Sequence, residues 1–120
     1  MSKYILTAVV VLVSTWSDAQ KTATFYDIHR HYYEALELFQ KEKYVAAQEK
    51  FDQYILAESN PKSELRVNAE YYRGICALYL FHKDAEFDLE RFVQDHPDSP
   101  WVWHVYYQLA THNYKKTLIL

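Results

Sequence analysis

The apolar positions fall into five runs of helical period, separated by short polar or proline-containing breaks. In the first run Ile28, Tyr32, Ala35 and Phe39 recur three or four residues apart, the spacing that lines one face of an α-helix. Thr24, with Asp27 three residues on, can cap its start. Lys41 and Lys43 put basic side chains at the negative end of the helix dipole, where the run should stop. The second run, Tyr44, Ala47, Phe51, Tyr54 and Ile55, makes one stripe, and Gln48, Glu49, Lys50, Asp52 and Gln53 make a solvated face. Asn60-Pro61 ends it and opens the next helix, with Asn60 as N-cap and Pro61 in the first turn. That third helix, over about 62–81, should bury Leu65, Ala69, Tyr72, Cys76 and Tyr79 or Leu80. His82-Lys83-Asp84 is so short a connection that the chain must return antiparallel. A fourth helix then carries Ala85, Leu89, Phe92 and Val93 as far as Asp95-His96-Pro97. Asp98 or Ser99 caps a fifth, with Pro100 at its first position and Trp103, Tyr106, Tyr107 and Ala110 continuing the pattern. The fold class expected is all-α, about five helices in antiparallel αα-hairpins.

Ahead of these runs the chain changes character. Lys3 is the only charge before Asp18, and Tyr4 to Val13 is apolar apart from Thr7. A helix crossing a bilayer needs about 20 apolar residues, so this run is too short for a span. A positive start, a short apolar stretch and small residues before a cut describe a secretory signal peptide. Ser17 and Ala19 stand three and one residues before a cut ahead of Gln20. Residues 1–19 are therefore expected to be removed and 20–120 to form the exported domain, with no membrane span left after cleavage. A lone Cys76 outside the cytoplasm reads as a small buried hydrophobe.

Composition narrows the function. With 13 Lys+Arg against 16 Asp+Glu the net charge is −3, a poor basis for binding a nucleic-acid backbone. At 50% hydrophobic the chain is not of the disordered class. The single Gly excludes a glycine-rich phosphate loop and disfavours a fold of tight β-hairpins. One Cys makes no disulfide framework.

A repeat underlies the helices. Tyr32-Tyr33-Glu34-Ala35, Tyr71-Tyr72-Arg73-Gly74 and Tyr106-Tyr107-Gln108-Leu109 align at offsets of 39 and 35 residues. Ala47 with Phe51 follows the first, and Ala85 with Leu89 the second. Ala35, Gly74 and Ala47 are small enough for close helix approach, and Leu109 or Ala110 takes that place in the third. Spacing of this size marks a helical solenoid, in which hairpins stack because one alone cannot bury both its faces.

These residues resemble the tetratricopeptide repeat, a unit of about 34 residues with a small residue in its first helix, Ala-x-x-x-Phe in its second and Pro near its end. Ala35, Tyr44, Ala47, Phe51 and Pro61 fit one unit (about 25–60), Gly74, Ala85, Leu89 and Pro97 a second (61–97), and 98–120 a partial third. The family's early Trp is missing from the first two. The Tyr-rich first helices and the stretch from Phe92 to Pro100 look most like repeat proteins of the bacterial envelope, of the outer-membrane assembly and Tol-Pal coordinator types. The resemblance implies a short right-handed solenoid, periplasmic or outer-membrane associated, that binds protein or peptide without catalysis. It implies a concave face lined by first helices, which here would take His29, Tyr32, Leu36, Tyr71, Ile75, Trp103 and Tyr106.

Other chemistry is thinly supported. His29 and His31 point to different sides of a helix. His104 and His112 are two turns apart, and zinc needs about three or four converging ligands. Asp95-His96 lies in a turn with no Ser or Cys nucleophile nearby. No catalytic, cofactor-binding or metal-binding residue is therefore assigned. The excess is aromatic: 12 Tyr, six Phe and three Trp. Tyr joins apolar area to a polar tip and suits interfaces. The fifth helix opens a hairpin whose second helix does not follow, so residues from Trp101 to Leu120, with Trp101, Tyr107 and Leu118 as anchors, are expected to self-associate or to hold a partner. The same feature supports the alternative that the chain is a truncated fragment of a longer scaffold.

Overall fold

The computed structural model describes residues 28–119, and the signal-peptide expectation for 1–19 and the Thr24 cap lie outside them. Every regular element described is helical: α1 over 28–40, α2 (Tyr44–Ala57), α3 (Glu64–Tyr79), α4 (Ala85–Asp95) and α5 (Trp101–Ile119).

The first and third helices end in the same way. Lys43 N–H donates to Leu38 O (2.9 Å) and Glu42 N–H to Phe39 O (3.0 Å). Likewise His82 N–H donates to Ala77 O (2.9 Å) and Phe81 N–H to Leu78 O (3.1 Å). This paired pattern is the Schellman motif, which satisfies carbonyls at a helix end and needs a left-handed residue at its pivot. Glu42 (φ 60°) and Phe81 (φ 56°) supply it, 39 residues apart as the repeat requires. Each motif turns the chain straight into the next helix.

The ring contacts set the directions. Phe39 meets Tyr44 while Tyr32 meets Phe51 and Tyr54, so α1 and α2 run antiparallel. Phe51 stacks on Tyr72 and Tyr44 meets Tyr79, so α2 and α3 do too. Tyr71 packs on both Phe92 of α4 and Trp101 of α5. α3 touches α2, α4 and α5, and Phe39 brings α1 against its Tyr72 and Tyr79.

Two cores result, one on each side of α3. The first joins Tyr32, Ala35, Ala47, Phe51, Tyr54 and Ile55 to Ala69 and Cys76. The second joins Tyr71, Ile75, Ala77 and Leu78 to Ala85, Leu89, Phe92 and Val105. The expected stripe of α3 thus takes in its first-core side, with Tyr72 and Tyr79 reaching the second core, and omits Tyr71, Ile75, Ala77 and Leu78, since the helix is buried on two sides. Ala35, Ala47 and Gly74 sit at helix contacts as expected. At Gly74 a β-carbon would lie 2.6 Å from Leu89 Cδ2, so α3 and α4 approach as closely as they do because no side chain intervenes.

One boundary differs from the sequence reading. Asn60 does not cap α3: its Oδ1 accepts from Lys62 N–H (3.0 Å), closing a turn, and the helix starts at Glu64 after Ser63. The side-chain turn of an Asn competes with its use as a cap. Ser99 does take the capping part for α5, its Oγ accepting from Trp101 N–H (3.2 Å), with Pro100 between them and the helix assigned from Trp101.

Candidate functional site

The fifth helix departs furthest from expectation. Its buried residues are Val105 and His112, with Trp101 and Leu109 partly covered against the second core. Tyr106 and Tyr107 face solvent, whereas Tyr32 and Tyr71, with which the repeat aligned Tyr106, are core. The alignment followed residue identity, and α5 is apolar on both sides, so periodicity alone did not choose which side turns inward.

The outward side carries Trp103, Tyr107, Tyr114 and Leu118, exposed by 79, 68, 66 and 68%. Ala110 lies exposed among them. At about 3.6 residues per turn, steps of three and four keep these five on one stripe, opposite Val105 and His112. Trp103 and Tyr106 touch edge to face, with ring centroids 6.4 Å apart, so Tyr106 flanks the stripe. Contiguous exposed apolar area of this kind makes the stripe the candidate interaction surface of the described residues. Tyr114 was missed in the sequence, although it stands seven residues after Tyr107 and four before Leu118.

The residues expected to line a concave face do not come together on a surface. Tyr32, Tyr71 and Ile75 are buried in the two cores, and burial holds the phenols of Tyr32 and Tyr71 above the usual tyrosine value. His29 is half-buried with its ring edge on Tyr54, and Leu36 packs partly into the first core. Trp103 and Tyr106 are open but belong to the outward face of α5. Trp101, expected as a self-association anchor, is a packing pillar: its ring stacks on Tyr71 at 4.3 Å and its Nε1–H donates to Asn68 Oδ1 at 2.7 Å. Of the three anchors Tyr107 and Leu118 are on the surface.

Two concavities flank the helix stack. One, of about 490 Å³, lies between the ends of α3 and α5, lined by Tyr44, Tyr79, Phe81, Gln108, His112 and Lys115 among others. Across it Tyr79 Oη donates to Gln108 Oε1 (3.0 Å) and the Phe81 ring lies on His112. The other, of about 890 Å³, is bounded by the Pro61 turn, the start of α3 and the turn from Asp95 to Pro100. There Arg66 Nη1 donates to Glu58 O (2.7 Å), Arg66 Nε reaches Glu70 Oε1 (3.4 Å), and His96 Nε2 meets Glu70 Oε2 (2.8 Å). These polar groups hold neighbouring elements to each other.

Similar ties run along the whole stack: Lys50 to Glu34 (3.1 Å), Arg73 to Asp52 (3.3 Å) and Lys116 to Glu86 (2.8 Å). Lys116 donates to Glu86 and holds its carboxyl below the usual carboxylate range, helped by His112 at 3.7 Å. Cys76 is fully buried, and desolvation pushes its thiol up to about 12. Among the described residues no three His, Cys, Asp or Glu converge as a metal site, and no helix is long and apolar enough to cross a membrane.

No protein-family model, curated protein or solved structure matches the chain.

Proposed function

We propose that this chain is a non-catalytic binding module, a short tetratricopeptide-like right-handed solenoid that holds a protein or peptide on the outward face of α5. The single observation that carries the reading is the stripe of Trp103, Tyr107, Tyr114 and Leu118 standing in solvent on one side of α5, opposite the buried Val105 and His112. Three features support the solenoid. Successive helices are antiparallel, α3 touches α1 and α5 as well as the partners of its two hairpins, and the same helix-ending motif recurs at Glu42 and Phe81. Arg66 to Glu58, His96 to Glu70 and Tyr79 to Gln108 tie neighbouring elements together across the two concavities, which supports a scaffold.

The apolar run from Tyr4 to Val13 with Ser17 and Ala19 behind it supports export, and with it a place in the periplasm or at the outer membrane of a bacterial envelope. N-terminal sequencing of the exported protein should begin at Gln20, and an intact Met1 would count against export. A second reading, one piece of a longer array, rests on the same stripe, which a further helix of such an array would cover.

Placing a photo-crosslinking phenylalanine analogue at Tyr107 or Tyr114, and at the exposed controls Gln53 and Glu90, tests the site in the native host. Adducts are expected from α5 alone. Adducts from α2 and α4 at equal yield, or none from α5, would remove the stripe as the binding surface.

A further inference from the structure

We propose that the occupant of the α5 stripe is a second copy of this chain, its own α5 lying antiparallel across the first about a two-fold axis between Ala110 and Thr111. This rests on the stripe being the binding surface. The order of residues along the stripe is the reason for a self-pair. Tyr107 and Tyr114 lie equally far on either side of the midpoint, and so do Trp103 and Leu118. A two-fold interface must bring residue i against j and j against i. With a rise of about 1.5 Å per residue, antiparallel helices crossing at that midpoint set Tyr107 against Tyr114 of the second copy, and Trp103 against its Leu118. The only small member of the stripe, Ala110, falls at the crossing, where the backbones come nearest.

Charge selects the same orientation. The five stripe residues carry none. A parallel pair would set Lys115 and Lys116 beside their own copies. In the antiparallel pair the two Lys115 residues stand about 13 Å apart along the axis, beyond the screening length of about 8–10 Å. Lys116 is already held by Glu86 of its own chain.

The area stands at the lower limit. Large aromatic side chains contribute about 150–250 Å² each. With three such rings and Leu118 per copy, each about two-thirds exposed or more, full cover of the stripe takes the pair to at most about 1,000 Å², the threshold of a specific interface.

Sedimentation equilibrium of the full chain, whose monomer is 14.4 kDa, tests the pair at micromolar concentration. A dimer is expected, and Ala110→Glu, an exposed position whose change leaves the fold intact, should weaken it by about tenfold or more by burying two facing carboxylates. Orientation is read by oxidation of cysteine variants, for which the buried Cys76 serves as a silent background. Tyr107→Cys mixed with Tyr114→Cys should cross-link between chains, because paired cysteines need α-carbons within about 7 Å, while either variant alone should not. A monomeric chain, a dimer unaffected by Ala110→Glu, or Tyr107→Cys linking to itself would each overturn the proposal. In the native host, crosslinks from Tyr107 to a different protein would leave the binding surface standing and remove the self-pair.

Discussion

Gly74, the only glycine of the chain, sits inside α3, where helix propensity alone would favour Ala by about 1 kcal/mol. The facing Leu89 decides otherwise. Its Cδ2 would lie 2.6 Å from an added β-carbon, and Leu89 is itself buried, so the side chain must shift within the core. Overpacking of this kind costs about 1–3 kcal/mol, so Gly74→Ala should be destabilising by about 1 kcal/mol in urea unfolding; a more stable variant would contradict the close approach of α3 and α4. Glu42 presents the opposite case. It is exposed and holds a left-handed backbone that a side chain disfavours by about 1–2 kcal/mol. Glu42→Gly should therefore raise the melting temperature, with a gain of about 1 kcal/mol after the added chain entropy of glycine. At Phe81 the same change loses the ring contact with His112, so its gain should be smaller. Equal gains at the two sites would show that this contact contributes nothing.

Between elements, α5 is held to α4 by Glu86, whose carboxylate meets Lys116. Its value lies below the ordinary 4.5 in the folded chain. A carboxylate held low adds stability above its unfolded value and loses it as pH falls through the folded one. Glu86 is more than a third exposed, so the pair is worth less than about 1 kcal/mol. Glu86→Gln should cost that much near neutral pH, and the deficit should shrink as pH falls through the lowered folded value and the parent carboxylate takes up its proton. A deficit that grows on acidification would contradict the ion pair. The helices themselves were legible in the sequence because most are apolar on one side: the α2 stripe and the α4 set Ala85, Leu89, Phe92 and Val93 stand where periodicity put them. Helix α3 was half legible, since burial on two sides leaves a run from Gly74 to Leu78 that has no polar phase to read. Helix α5 was legible as a helix but not in its rotation. Tyr and Trp are compatible with core and with surface alike, and nothing local told Val105 from Tyr106. For the same reason Tyr32 and Tyr71 fit an expected groove as well as a core, and Tyr114 carries no local mark of its exposure; Ile75 enters that groove through the repeat resemblance alone.

Across the whole molecule, the described helices form two cores that share α3, with Phe39 and Tyr72 reaching into both. Exposed large apolar residues elsewhere, such as Tyr33 on α1, Leu56 on α2 and Phe87 on α4, are scattered over separate elements. Scattered exposure of this sort needs no explanation, whereas the aligned stripe of α5 is the surface on which we propose a partner sits. We propose that this stripe is covered when the protein works. Hydroxyl-radical footprinting of the full chain, in intact cells and after purification and dilution, reads that cover residue by residue. Trp103, Tyr107 and Tyr114 should be protected in cells and modified on dilution, with Tyr33 and Phe87 modified equally in both. Protection of Tyr33 or Phe87 without protection of α5, or no difference at Trp103 between the two states, would contradict the account.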